Sequence, residues 1–397
     1  MESRATQTNY DVIVIGVGSM GSAACYHLAK QGQKVLGLEQ FDITHENGSH
    51  AGQSRIIRKA YGEATFYVPL LERAYENWAT LEAETETQVF HKNGMVYFGT
   101  PDSPFLQTVR ASSAQYNIPL NELSEDDCSK KYPQFQLPSN FLRLEEPNAG
   151  FLTPERCIRL MVKQARYHGA TIQSHTKVLH WRYEKGTVTV TTSSTTYQAK
   201  KLVITAGPWA HQLAGQFTPK LTVTRQPFAW VQPKQKELFQ AENFPCWLLR
   251  NNGEDYYGFP IVPVEEFGAP MGLKLGKHHP GGEATDPDQV DRNARPADEK
   301  ALVDFLHEFI PQGYQNTLAM KTCLYTKTAD EHFIVDYLPG HDQNVTIATG
   351  FSGHGFKFVS VIGEVLADLA AKGKTALNID FLGFHRLLHT SDSQKTP

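Results

Sequence analysis

Several cations in this sequence stand where their charge could serve chemistry. Lys274 lies inside Gly272-Leu273-Lys274-Leu275-Gly276, an apolar run of strand character, and an ammonium buried there is costly unless it serves a purpose. A fixed positive charge at such a point stabilises an anion that develops during a reaction; a lysine pointing outward from a half-buried strand is the alternative. Arg55 and Arg58 are three apart, which puts both on one side if the segment is helical. Their forked donors suit a carboxylate or a phosphate, against the alternative of a solvated basic turn extended by Lys59. Lys357 follows Gly353, His354 and Gly355 at the start of an apolar helical run, where backbone donors meet negative charge; packing glycines would explain the same residues. Tyr257 offers an aromatic face and His278 an imidazole. His278 and His279 are adjacent, and neighbours in an extended run point apart, so the pair predicts no metal site.

The five cysteines, Cys25, Cys128, Cys157, Cys246 and Cys323, are scattered and form no CxxC, which excludes a disulfide framework and a zinc knuckle. Cys323 is flanked by Lys321 and Lys327, and nearby cations favour a thiolate nucleophile. A buried cysteine acting as a small hydrophobe is the plainer reading.

The elements that must position these residues begin with Tyr10 to Ile15, a β-rich run followed by Gly16-Val17-Gly18-Ser19-Met20-Gly21, a helical pattern to Ala29, Gly32, and a second strand ending at Glu39. That order predicts a βαβ unit for a dinucleotide. Gly16 permits the turn, Gly18 lets the backbone approach a pyrophosphate, and Gly21 lets the helix pack on the strand. Glu39 can accept from a ribose hydroxyl. The motif alone does not separate FAD from NAD. Downstream, Phe66 to Glu84 has helical spacing, as does the stretch from Thr153-Pro154 to near Gly169. Segments around Ile172, Val178, Val188 and Val190 suggest a β-meander, Lys201 to Ala206 a buried strand, and Gln226 to Pro280 a strand-rich insertion. Pro280 to Pro296 reads as a polar loop before a helix at Lys300 to Phe309, and Val345 to Gly350 as a strand before a helix at Phe358 to Ala371.

With 397 residues, 40% of them hydrophobic and 20% charged, the chain can bury one large or two moderate cores. Its net charge of -4 and lack of a basic run exclude the usual nucleic-acid footprint, and no apolar stretch reaches the roughly 20 residues that span a bilayer. Without a secretory run near Met1, the expectation is a cytoplasmic protein with neither nucleic-acid nor membrane partners.

The lines NGSHAGQSRIIRKAYGE from Asn47 to Glu63, KTCLYTKT around Cys323 and GHGFKF from Gly353 closely resemble the monomeric sarcosine oxidase family, which includes N-methyltryptophan and pipecolate oxidases. The likeness runs from Tyr10 to about Arg386 and takes in Tyr256-Tyr257-Gly258-Phe259-Pro260. It implies an α/β fold: a glutathione-reductase-type FAD-binding domain interleaved with a mixed-sheet α+β substrate domain. The expected division is 9–88, 148–222 and 322–390 for FAD, 89–147 and 223–321 for substrate, and flexible tails at 1–8 and 391–397. The resemblance further implies oxidation of a secondary amino acid to an imine, with O2 reduced to H2O2 by a monomer. FAD would be bonded through its 8-alpha carbon to Cys323. Arg58 and Lys357 would hold the substrate carboxylate, Arg55 and Ser54 would lie against the flavin, Lys274 would promote oxygen reduction, and Tyr257 and His278 would line the substrate cavity. The backbone at Val178 would meet adenine, and Gly353, His354 and Gly355 the flavin's pyrimidine end.

Relatives often carry histidine where this chain has Ala51, one place after His50. That departure leads us to expect a bulkier or cyclic substrate, and Gly52 to Lys59 looks more like pipecolate oxidase than sarcosine oxidase. A flavin dehydrogenase using a carrier, an NAD-dependent dehydrogenase and a non-catalytic flavin-binding protein remain as other readings.

Overall fold

A computed structural model describes residues 6–215, 221–278 and 282–388. The fold is mixed α/β, built on two eight-stranded sheets and a small third one. In the first sheet, strand Thr6–Ile15 sits centrally and pairs in parallel with Thr196–Ile204 on one side and Val35–Leu38 on the other. Parallel pairing continues outward to Thr171–Gln173 and, across Thr196–Ile204, to Val345–Thr349. Such a sheet must be covered by helices. Ser19–Lys30 packs there against Pro154–Tyr167 and Val359–Lys372. Gly363 sits at the last of these crossings, where a Cβ would lie 2.3 Å from that of Ala23. Val361, Ile362, Val365 and Leu366 of the same helix are fully buried, each contributing about 1.5–3 kcal/mol.

The second sheet runs Asn316–Lys327, Thr222–Gln232, Leu273–His278, Glu254–Phe259, Cys246–Asn251, Met95–Gly99, Leu142–Glu146 and Asn121–Glu122. All neighbours are antiparallel except Cys246–Asn251 with Met95–Gly99, which makes it a mixed sheet. Side chains alternate across such a strand. Leu273, Leu275 and Tyr256 therefore pack with helix Pro296–Phe309 on one face, while Lys274, His278, Tyr257, Cys323 and Tyr325 belong to the other. A three-stranded sheet of Arg55–Ile57, Gly150–Leu152 and Phe90–His91 joins the halves.

Four expectations need correction. Arg55–Ile57 is a strand and not a helix, because its backbone pairs with Gly150–Leu152. Thr171–Gln173 leaves the meander for the parallel sheet. The first strand starts at Thr6, within the stretch expected as a tail, and its first residues pair with Thr196 and Tyr197; residues 1–5 and 391–397 lie outside the described residues. Strand Asn316–Lys327 runs unbroken through the boundary expected at 322, since its whole length pairs with Thr222–Gln232. Residues 279–281, with His279 and the start of the expected polar loop, also lie outside the described residues.

Candidate active site

The glycines of the first turn have three different surroundings. Gly16 has φ +88°, and a Cβ there would lie 2.6 Å from the Thr205 carbonyl oxygen. A Cβ at Gly21 would lie 1.8 Å from the Gly16 oxygen, whereas one at Gly18 would find only His50 Nδ1, at 3.9 Å. Gly16 and Gly21 are thus closed by protein, and Gly18 opens onto a long cleft together with Ser19 and Met20. Helix Ser19–Lys30 has no side-chain cap, so its first N–H groups face that cleft. Glu39 closes the far side. Its carboxylate accepts from the N–H groups of Val17 (2.9 Å) and Phe41 (3.0 Å), while burial pushes its pKa up. Val178, Arg55, Gly353 and Gly355 line the same cleft.

His50 was not among the residues expected to act. It is buried, lines the cleft, and leaves Nε2 without a hydrogen-bond partner among the described residues. Burial lowers its pKa to about 4, so the ring is neutral. An uncapped helix start, open space over Gly18 and an orphaned ring nitrogen together fit a dinucleotide pyrophosphate.

Beyond the cleft, the second sheet presents its polar face. Lys274 is 2% exposed. Its ammonium donates to the carbonyls of Gly52 (2.5 Å) and Ser54 (2.8 Å) and to Ser54 Oγ (3.2 Å), and lies 4.5 Å from the Phe259 ring centroid. Among the described residues it pairs with no carboxylate, and burial holds its pKa well below the usual lysine value. From the opposite side, Glu155 Oε1 accepts from the N–H groups of Gly52 (2.7 Å) and Gln53 (3.3 Å). Arg55 donates to the carbonyls of Ala51 (2.7 Å) and Ser54 (2.8 Å), which fixes the loop ahead of it. Cys323 is buried, and burial pushes its thiol up, opposed by Arg55, Lys274 and Arg292. The sequence-adjacent cations do not take part: Lys321 pairs with Glu46 and Lys327 with Glu331.

A second group of buried charges is built around Arg58. Arg58 directly follows strand Arg55–Ile57 and is 3% exposed. Its Nη2 meets both carboxylate oxygens of Glu63 at 2.8 Å, and its guanidinium stacks on Tyr61 at 4.7 Å. Burial pushes the Glu63 carboxyl up, but Arg58, His354 and Lys357 together pull it down to about 2. Lys357 donates to the His354 carbonyl at 2.7 Å, and burial next to Arg58 lowers its pKa to about 7. Tyr257 and Tyr325 stand on the same sheet face, burial taking Tyr257 to about 12, and the Tyr325 hydroxyl lies 3.3 Å from His278 Nδ1. His354 departs from expectation. Its Nε2 meets the Glu331 carbonyl at 3.0 Å, which leaves Nδ1 to accept from Tyr61. Its backbone N–H is taken by Phe351, so neither ring nor amide is free for a cofactor. Gly353 has φ +87° and a Cβ there would strike the Tyr325 ring at 2.3 Å. Glu63, Glu155, Tyr325 and Arg292 were missed from sequence. Only Tyr325 carried a signal, two residues beyond Cys323 and hence on its face of the strand.

A family profile described as FAD dependent oxidoreductase matches residues 11–369. The chain belongs to this family. It is 40% identical over 396 residues to monomeric sarcosine oxidase of Bacillus sp. (strain B-0618), covering 98% of this chain and 99% of that one. It is 38% identical to N-methyl-L-tryptophan oxidase of Citrobacter koseri, with 92% and 95% covered. The fold is similar to that of NikD, an amino acid oxidase of nikkomycin biosynthesis (TM-score 0.82, 23% identity, 95% and 98% covered). It is similar also to that of L-proline dehydrogenase from P. horikoshii (TM-score 0.82, 20% identity, 96% and 98% covered). The FAD-dependent oxidoreductase contains no helix long and apolar enough to cross a membrane, and no His, Cys, Asp and Glu cluster suited to a metal, among the described residues.

Proposed function

We propose that this enzyme oxidises a carbon-nitrogen bond of a secondary amino acid to an imine and passes the two electrons to O2, giving H2O2. The observation that carries this reading is the buried Lys274 ammonium, held by three oxygens without a carboxylate partner, on the same sheet face as Cys323. FAD, when bound, takes two electrons from the substrate and returns them to oxygen. Gly18, Ser19, Met20 and His50 would hold its pyrophosphate, Glu39 a ribose, and Val178 the adenine end. Arg55 and Ser54 would lie by the ring system, with Gly353 and Gly355 near its far edge and Cys323 as a covalent tether.

Lys357 and Arg58 receive the substrate carboxylate, although Glu63 already engages Arg58, so the incoming carboxylate shares that guanidinium. Tyr257 and Tyr325 shape the chamber around the amine, and His278, its pKa lowered by burial, stands beside them as a neutral ring. Held in this way, the amine presents its C–H to the acceptor. It must react as the free base, so its proton leaves before electrons move. Lys274 then stabilises the negative charge that grows on oxygen. Ala51 gives no ground for reading the substrate's size, because Ser49, His50 and Arg55 form the cleft wall at that point. The 40% identical relative is named a monomeric enzyme, which supports a monomer here.

The test is to mix the protein with sarcosine, N-methyl-L-tryptophan, L-pipecolate and L-proline and follow flavin bleaching without air, then O2 uptake and H2O2. Bleaching by one of them, followed by fast reoxidation with one H2O2 per turnover, is expected. Bleaching with slow reoxidation in air would make the enzyme a dehydrogenase. The tether is tested by acid precipitation: the yellow colour stays with the wild-type chain and leaves Cys323→Ser.

A further inference from the structure

Arg292 carries a positive charge that the reaction described above does not use. It sits on the segment before helix Pro296–Phe309, and that segment crosses from the second sheet to the cofactor cleft. Asp288 accepts from Trp209 Nε1 at 2.7 Å and Gln212 Nε2 at 3.1 Å, and both of those residues line the cleft. Arg225 in strand Thr222–Gln232 donates to the Asp291 and Asn293 carbonyls, at 2.9 and 2.5 Å. Anchored at these points, the segment sends Arg292 to the carbonyl of Asn47 (2.7 Å) and to that of Thr322 (3.5 Å), the residue before Cys323. Among the described residues it has no carboxylate partner. Lys321 and Lys327, closer to Cys323 in sequence, are neutralised by Glu46 and Glu331.

We infer that Arg292 is a positioning residue for the attachment of FAD to Cys323, its unpaired charge favouring the thiolate that makes the bond. The inference rests on the covalent reading proposed above. In the attachment the thiol gives up its proton, an S–C bond replaces one C–H bond of the flavin methyl, and the two electrons released reduce O2 to H2O2. A thiolate is needed, and burial opposes it. The groups that face the sulfur are Arg55 from the small sheet, Lys274 and Tyr257 from the second sheet, Tyr325 from its own strand, and Arg292. Arg55 and Lys274 act on the sulfur more strongly than Arg292 but also hold the Ala51 to Ser54 backbone, whereas Arg292, bonded to the carbonyls of Asn47 and Thr322, reaches the cysteine strand itself.

Full-length protein prepared without flavin is mixed with FAD in air, and the flavin fluorescence retained by the acid-denatured chain is followed in time. Arg292→Gln and Arg292→Ala are expected to couple at least about tenfold more slowly than wild type at neutral pH, equivalent to one unit in the thiol pKa. Arg292→Lys stays close to wild type, and alkaline pH narrows the gap. Non-covalent uptake, read by quenching of free FAD fluorescence, is unchanged. Coupling of Arg292→Gln at the wild-type rate overturns the inference, as does a loss of non-covalent uptake matching the loss of coupling. If Arg292→Ala does not fold, the Gln and Lys variants decide. Wild type that releases all its flavin overturns the covalent reading itself, whereas covalent wild type with indifferent Arg292 variants overturns only this inference.

Discussion

Replacing Lys274 by methionine removes the buried ammonium while nearly keeping the side chain's length. Acting on a developing anion about 5 Å away at an effective dielectric near 20, a unit charge is worth about 3 kcal/mol, or about two orders of magnitude in rate. The variant leaves the Gly52 and Ser54 carbonyls short of a donor, at about 1–3 kcal/mol each. It also removes the cost of burying a charge, which is evident in the strongly lowered pKa, so net stability changes little. Stopped-flow spectroscopy separates the two half-reactions. Anaerobic flavin bleaching by substrate is expected within about fivefold of wild type, and reoxidation by O2 about a hundredfold slower. In the wild type the ammonium form does the work, so reoxidation is fast at low pH and slows as pH rises through the depressed pKa; Lys274→Met loses that dependence. Reoxidation of the variant at the wild-type rate, with the same pH profile, would refute the electrostatic argument.

Glu63→Gln leaves Arg58 buried without its carboxylate. With the folded pKa of Glu63 at about 2 against an ordinary 4.5, its carboxylate, held by Arg58, His354 and Lys357 together, contributes about 3 kcal/mol above pH 4.5, lost as pH falls toward 2. Urea unfolding at pH 7 should reveal that loss, and the variant's stability should vary less between pH 4.5 and 2. Lys357 titrates near 7 in the folded chain, so carboxylate inhibitors should bind more weakly as pH rises through that value, and Lys357→Met should flatten the inhibition profile. The depressed lysine pKa also makes the group's contribution to stability rise with pH between about 7 and 10.5, which a thermal melt series can check. Gly18→Ala should fold with an unchanged melting temperature in the flavin-free state yet take up FAD poorly. Gly21→Ala, with its Cβ 1.8 Å from the Gly16 oxygen, should lose stability before any cofactor is added.

The sequence pattern reached the dinucleotide unit in full because turn, helix and strand lie within one short stretch and obey local rules. Lys274 stood out for a different reason: an ammonium inside an apolar strand is costly, and the structure buries it. The setting of Arg58 was not legible, since the rings it lies over include Tyr97 and Phe105, which are distant from it in sequence. Glu155 and Arg292 act on the site through backbone carbonyls and amides of the Glu46 to Gln53 loop, and no spacing rule links those residues to it. Cys323 was singled out for the cations near it in sequence, but Lys321, although on the same strand face, is engaged by Glu46, and Lys327 by Glu331, and neither carboxylate could be assigned from spacing.

The short backbone from Gly52 to Ser54 is gripped from two directions, its amides by Glu155 in a helix of the first half and its carbonyls by Lys274 of the second sheet. The Lys274 charge, which the proposed reaction offers to oxygen, is therefore pinned by main chain of one half and carried by a side chain of the other. Any sliding of the halves would tear hydrogen bonds at both ends of the grip. In the proposed reaction the dipoles around Lys274 would thus be set before oxygen arrives, leaving little reorganisation energy to be supplied during electron transfer.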